Sequence, residues 1–200
     1  MTALMDFQSA LDALAMGDVV ALPTDTVYGV AASLGHPIAV ATLFSLKHRP
    51  ASAALPVLVS SIKQIEALGV AWPERARTLS DALWPGALTI VVAAPLELCM
   101  PLGSTMGTIG FRCPRDDTLL ALLERSGPLA LTSANEHGEA PCESAAQVVE
   151  AFAGRRELSG VLDGGERSGK VSTVIDLSDP RWRIVRDGAV PESVLAPLLN

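Results

Sequence analysis

Four consecutive apolar residues, Val19-Val20-Ala21-Leu22, run without a polar break into Pro23-Thr24-Asp25-Thr26-Val27-Tyr28-Gly29. A β-branched run of this kind after Gly17 reads as a strand buried on both faces, the type found inside layered α/β folds. Pro23 removes a backbone donor, so the ladder is expected to stop there or become an edge. Beyond it, Thr24, Thr26 and Tyr28 alternate in what reads as an extended segment, with three hydroxyls on one face and Asp25 and Val27 on the other. Neutral hydroxyls on one face can orient a small polar molecule without adding charge. The alternative is a strand end in which Thr and Tyr only satisfy β propensity.

Helical and extended patterns alternate along the rest of the chain. Phe7, Ala10, Leu11 and Leu14 have helical spacing before Gly17, and Pro37 can open a helix through Ile38, Ala41, Phe44 and Leu46 that Pro50 ends. Leu55 to Val59 reads as a strand, followed by helices over Ile62 to Leu68 and Glu74 to Leu83. The Trp84-Pro85-Gly86 turn leads to a strand from Leu88 to Val92. Later strands are expected at Thr108 to Arg112, Leu129 to Thr132, Val171 to Leu177 and Arg183 to Val185. Helices are expected at Thr118 to Arg125, Ser144 to Phe152 and Pro191 to Leu199. This is a mixed α/β pattern whose polar clusters fall at strand ends, where such folds bind ligands.

Composition narrows the functional classes. With 49% hydrophobic residues in 200, the chain can bury roughly 70% of its unfolded surface, and one domain over residues 1–200 is expected. A net charge of −7 argues against a broad nucleic-acid-binding face and leaves room for a local basic pocket. The three cysteines, Cys99, Cys113 and Cys142, form no C-x-x-C and the three histidines are scattered, so neither a disulfide framework nor a zinc site is indicated. A reduced, cytoplasmic setting is expected. The longest apolar stretch, around Ala87 to Leu98, contains Pro95 and Glu97 and falls short of the ~18 residues that suggest a membrane span. No targeting segment or repeat is read.

Four clusters carry candidate chemistry. Lys47-His48-Arg49-Pro50 sets two cations two residues apart, able to clamp phosphates or simply to cap a helix end. Arg112 closes one strand, with a surface salt bridge as the alternative, and Ser133-Ala134-Asn135 closes another with a hydroxyl and an amide, or with ordinary turn formers. No G-x-S-x-G elbow surrounds Ser133, which favours a neutral hydrogen-bonding role. The fourth, Gly164-Gly165-Glu166-Arg167-Ser168-Gly169-Lys170-Val171, nearly matches a P-loop, but Val171 replaces its hydroxyl residue and the β-branched segment that follows reads as a strand. It is a flexible loop leading to Ser172 and Thr173, with Arg186 and Gly188 one strand later.

Taken in order, Pro23-Thr24-Asp25-Thr26-Val27-Tyr28-Gly29, Lys47-x-Arg49-Pro50, Trp84-Pro85-Gly86, Thr108-x-x-x-Arg112, Ser133-Ala134-Asn135, Asp163-Gly164-Gly165, Ser172-Thr173 and Arg186-x-Gly188 resemble the YrdC/Sua5 family over about residues 10–190. The length resembles the family's short bacterial form. The resemblance implies a YrdC-like twisted mixed sheet flanked by helices, with a large concave cavity. It implies a nucleotidyltransferase that forms threonylcarbamoyl-AMP and pyrophosphate from L-threonine, bicarbonate and ATP, with Mg2+ carried by ATP and no metal held by the protein. The product would serve modification of adenosine 37 in tRNAs through transfer proteins of the TsaD, TsaB and TsaE type.

Carried over by motif, Lys47 and Arg49 face the triphosphate, Ser133 and Asn135 hold nucleotide or the forming adenylate, and these four are the catalytic set. Thr108 and Arg186 join them in binding ATP. Thr24, Thr26, Tyr28, Arg112 and Ser172 bind threonine, with Arg112 suited to pair its carboxylate bidentately. The chain departs from the family pattern at Ala53 and Leu58, where a Lys and a His are common, at His137 in place of a Ser, and at Val171 in place of a Glu. Two alternatives stand beside this reading: a relative of the same fold acting on another carbamate or carboxylate, and a non-catalytic module binding tRNA or other RNA weakly.

Overall fold

A computed structural model describes residues 3–50, 53–103, 106–136 and 138–199. His137 therefore lies outside the described residues. In chain order the elements are β1 (Ala3–Met5), α1 (Phe7–Met16), β2 (Val19–Leu22), β3 (Gly29–Ser33), α2 (Pro37–Leu46), β4 (Val57–Leu58), α3 (Ile62–Ala67), α4 (Glu74–Leu83) and β5 (Leu88–Ala93). They continue with α5 (Leu96–Cys99), β6 (Thr108–Arg112), α6 (Asp117–Ser126), β7 (Leu129–Ser133), α7 (Ala145–Ala151), β8 (Leu158–Leu162), β9 (Thr173–Asp176), β10 (Arg183–Arg186) and α8 (Glu192–Leu199). All ten strands form one mixed sheet in the order β1-β8-β2-β3-β7-β4-β6-β5-β9-β10.

Strand register assigns the two faces. Val20, Leu22, Ala31, Leu58, Leu129 and Leu131 share one face and pack under Ala10, Leu11 and Leu14 of α1 and Leu119, Leu122 and Leu123 of α6. On the other face Ala21, Val30, Val57, Phe111, Ile90 and Ile175 meet Val40 and Leu43 of α2, Leu79 of α4 and Leu195 of α8. Each such fully buried aliphatic side chain contributes about 1.5–3 kcal/mol relative to exposure. The expectation that β2 is apolar on both faces holds, since all four of its residues are buried. The layer under α1 and α6 draws no residue from β5, β6 or β9. Over those strands the sheet face is left for something other than a helix.

The segment from Asp163 to Ser172 crosses that face. Six strands separate β8 from β9 in the sheet. At ~4.8 Å per spacing this is on the order of 34 Å on a flat sheet. The eleven steps from Leu162 to Thr173 reach only about 36–40 Å when extended. Even allowing for twist, the segment is a strap with little slack, and it has no regular secondary structure. This agrees with its reading as a loop and not as the phosphate-binding turn before a helix.

The structure adds elements that the pattern misses. β1 and β8 pair in parallel, β3 pairs with both β2 and β7, and α5 is a single turn after Pro95. Strand β4 is shorter than the expected Leu55 to Val59, and β9 begins at Thr173 where Val171 was expected. The 24–28 segment is not extended, and that correction bears directly on the site.

Candidate functional site

Thr24 closes a tight turn on itself. Its hydroxyl donates to Val27 O at 2.7 Å and accepts from Thr26 N at 3.0 Å, the hydroxyl–backbone pattern that bends a chain. With that proton committed, the 2.9 Å contact between the Thr24 and Thr26 hydroxyls has Thr26 as donor. The bend overturns the expected alternation: Asp25 does not face away but reaches Arg112 Nη2 at 2.6 Å. Tyr28 is fully buried, and its hydroxyl donates to Gly165 O at 2.8 Å and accepts from Gly164 N at 3.0 Å. Burial pushes its phenol pKa up. Tyr28 therefore fastens the strap as well as lining the cavity beneath it.

Three guanidinium groups line the cavity on the open sheet face, and a fourth cation, Lys47, is buried behind its wall. Arg112, at the end of β6 and 6% exposed, donates from Nε to Gly86 O at 3.0 Å and from Nη1 to Thr26 Oγ1 at 3.3 Å, besides its pairing with Asp25. Burial works against its charge and Asp25 offsets that. Arg186 donates to Ser172 O from Nε and Nη2 and to Ser172 Oγ at 2.9 Å. Its pKa is lowered by burial and by repulsion from Arg112 and Arg49. Arg49 folds back onto Ala53 O and Ala54 O at 2.8 and 3.0 Å. None of Lys47, Arg49 and Arg186 has a carboxylate partner among the described residues.

Lys47 is the least exposed of the four to water, at 2%. It caps α2 and sends its ammonium under the end of β7, where Nζ donates to Ser133 O, to Thr132 Oγ1 at 3.2 Å, to Asn135 Oδ1 at 3.2 Å and to Ser133 Oγ at 3.3 Å. Every one of these acceptors is neutral. Burial, then repulsion from Arg49, pushes its pKa down to about 8. A buried ammonium with only neutral partners is poised for an anion.

The neutral groups complete the wall. Ser172 Oγ lies 2.9 Å from Thr89 Oγ1, and Thr89 is a lining residue that residue pattern alone does not single out beyond its strand. Its signal is positional: register places Thr89 beside Arg112. Asn135 donates to Glu136 O and Glu139 O, both at 2.8 Å, so it shapes its own turn while holding Lys47. Close approach demands glycine at two points. A β-carbon on Gly188 would collide with Thr173 N, Ser172 C and Val171 O, and one on Gly169 would sit 2.8 Å from Asp25 O.

Thr24, Thr26, Tyr28, Arg49, Arg112, Ser133, Ser172 and Arg186 line one cavity of about 140 Å³, floored by Pro56, Leu58 and Leu131. Asn135 lines an adjoining cavity of about 790 Å³ that shares Val27 and Val171 with the first. Lys47 lies beneath the wall between them. Thr108 is not brought in: it shares Arg112's strand face but is ~13 Å away along β6. Leu58 and Val171, two of the departures from the family pattern, are cavity-lining residues. Among the described residues no three His, Cys, Asp or Glu side chains are grouped to hold a metal.

An open sheet face lined by three guanidinium groups, backed by the buried Lys47 and roofed by a strap, defines an α/β protein with a built anion-binding cavity. The Sua5/YciO/YrdC family model, described as telomere recombination, matches residues 12–188, and the chain belongs to that family. A putative threonylcarbamoyl-AMP synthase of Mycobacterium leprae is 40% identical over 194 residues, 96% of this chain and 87% of that protein. Pyrococcus abyssi Sua5 complexed with L-threonine superposes with a TM-score of 0.87 and 34% identity, covering 96% of this chain and 57% of that one. Escherichia coli YciO shares the fold, with a TM-score of 0.82 and 23% identity over 94% of this chain and 92% of its own.

Proposed function

We propose that this chain is a nucleotidyltransferase that condenses L-threonine, bicarbonate and ATP into threonylcarbamoyl-AMP with release of pyrophosphate. The observation that carries the proposal is the cationic cluster around Lys47, whose buried ammonium has no anionic partner among the described residues. The names of the relatives and the threonine complex of Pyrococcus abyssi Sua5 supply the substrate class.

Threonine's amine and bicarbonate give a carbamate, and a carbamate oxygen attacks the α-phosphorus of ATP while pyrophosphate leaves. Negative charge accumulates on phosphate oxygens, so the protein's part is positioning and electrostatic stabilisation. Arg49 and Arg186 supply fixed positive charge for the triphosphate, which enters with its own Mg2+, Lys47 adds an ammonium that the anion stabilises, and Ser133 and Asn135 border the adenylate. Thr26, Thr89 and Ser172 present hydroxyls to threonine. Of the five N–H donors of Arg112, three are committed to Asp25, Thr26 and Gly86 O, which leaves two for the substrate carboxylate. Thr108 contributes only if the nucleotide extends along β6.

On this reading residues 1–200 act as one domain, and the product passes to a carbamoyl-transfer system acting on tRNA. No helix among the described residues is long and apolar enough to cross a membrane, which accords with the proposed cytoplasmic setting. The purified protein should release pyrophosphate only when threonine, bicarbonate and ATP are all present. Turnover without threonine, or none with all three, would reject the assignment.

A further inference from the structure

The α2 terminus is closed in an unusual way. His48 N bonds Ser45 O at 3.2 Å and Arg49 N bonds Phe44 O at 2.9 Å, the paired closure that normally ends in glycine. Here the left-handed position is His48, with φ of 49°, the one non-glycine residue with positive φ among the described residues. A β-carbon in that conformation is unfavourable, so an imidazole there needs a compensating contact. It has one: His48 Nε2 lies 3.1 Å from Arg155 Nη2. Because a guanidinium only donates, Nε2 is the acceptor in this contact.

The same Nη2 donates to Glu136 Oε1 at 2.9 Å. Glu136 follows Asn135, whose Oδ1 receives Lys47 Nζ and whose Nδ2 donates to Glu136 O. Arg155 itself is fixed on the turn after α7 by its backbone bond to the carbonyl of buried Phe152. The contacts make a closed ring: Lys47, Asn135, Glu136, Arg155, His48 and back to Lys47 along the chain. A lone surface ion pair contributes little. This one shares its donor with a residue in a strained conformation: one arm ends between Lys47 and Arg49, and the other ends beside Asn135, which holds the Lys47 ammonium.

We infer that Arg155 and His48 are positioning residues, a brace outside the cavity that sets Lys47 and Arg49 for nucleotide. The inference rests on the ATP reading above and adds residues that touch no substrate. The test uses the full chain, with ATP and threonine binding measured separately by calorimetry for wild type, His48→Gly, Arg155→Gln and the double variant. His48→Gly relieves the left-handed strain, so its thermal midpoint stays level or rises, which removes misfolding as an explanation. Each single variant should weaken ATP binding by about three- to tenfold while leaving threonine binding unchanged, and the double should lose no more than the weaker-binding single, since residues in one network do not add. Unchanged ATP affinity in His48→Gly, multiplicative losses in the double, or equal loss for threonine would overturn the brace. Absence of ATP binding by the wild type would instead overturn the nucleotide reading.

Discussion

Nucleotide binding to this protein should take up a proton, and Lys47 is the group that receives it. A fall in its pKa from 10.5 to about 8 means that holding the charge in the ligand-free protein is unfavourable by about 3 kcal/mol. The sign follows from linkage: the folded state binds this proton less tightly than the unfolded chain, so ligand-free stability rises with pH between about 8 and 10.5. A triphosphate beside Nζ reverses the imbalance. If it restores the ordinary value, ATP affinity at neutral pH exceeds that at high pH by about 300-fold. About half a proton would be taken up per ATP at pH 8, where the free lysine is half charged. The phosphate's own titration near pH ~6 lies below this window. Calorimetry at pH 8 in buffers of different ionisation enthalpy reads the uptake directly. Lys47→Met keeps the side chain's length, removes the charge and should abolish both the uptake and the pH dependence. Its stability change is a balance, since the burial cost disappears while Ser133 O, Thr132 Oγ1 and Asn135 Oδ1 lose a donor at ~1–3 kcal/mol per unpaired group. An enthalpy independent of buffer, with affinity flat between about pH 7.5 and 9.5, would refute the reasoning.

Two further perturbations follow from the same wall. Asp25→Asn leaves Arg112 buried without the carboxylate it pairs with and should cost about 3 kcal/mol in denaturant unfolding, with threonine affinity falling more than ATP affinity. An unfolding midpoint equal to wild type would show that the pair is dispensable. Gly188→Ala forces a β-carbon into Ser172 and Thr173, so it should destabilise by about 1–3 kcal/mol and weaken threonine binding as Ser172 shifts. Threonine affinity unchanged by titration would mean that the backbone there yields more readily than its packing indicates.

The parts of this molecule legible in its sequence are those whose cause is local. Helices α1, α2, α4 and α6 repeat their apolar residues at helical spacing, and β2, β5 and β7 are largely apolar runs bounded by breakers. The strands that escaped notice have weak local signals. Gly29–Ser33 is mostly small residues, and Leu158–Leu162 carries Gly160 at its centre. Both are strands because neighbours far along the chain pair with them. The site divides in the same way. Lys47, Arg112, Ser133, Ser172 and Arg186 stand at element ends and are recognisable by residue type. Alternation places Asp25 on the wrong side because it presumes an extended backbone, whereas a hydroxyl at Thr24 bends it. Thr89 and the Arg155 brace exist only through contacts that join distant segments.

The sheet order also fixes when the molecule can become a molecule. β2 is an inner strand, yet its neighbour β8 is made near the far end of the chain, and β1 pairs with β8 alone. A polypeptide emerging from its N-terminus therefore carries β1 and one flank of β2 as bare edges until residues 158–162 exist. Such long-range pairing slows folding and exposes sticky intermediates. Chains cut short before β8 should be insoluble even though they hold Lys47, Arg112 and Ser133, and a chaperone's demand on this protein should persist until β8 is made.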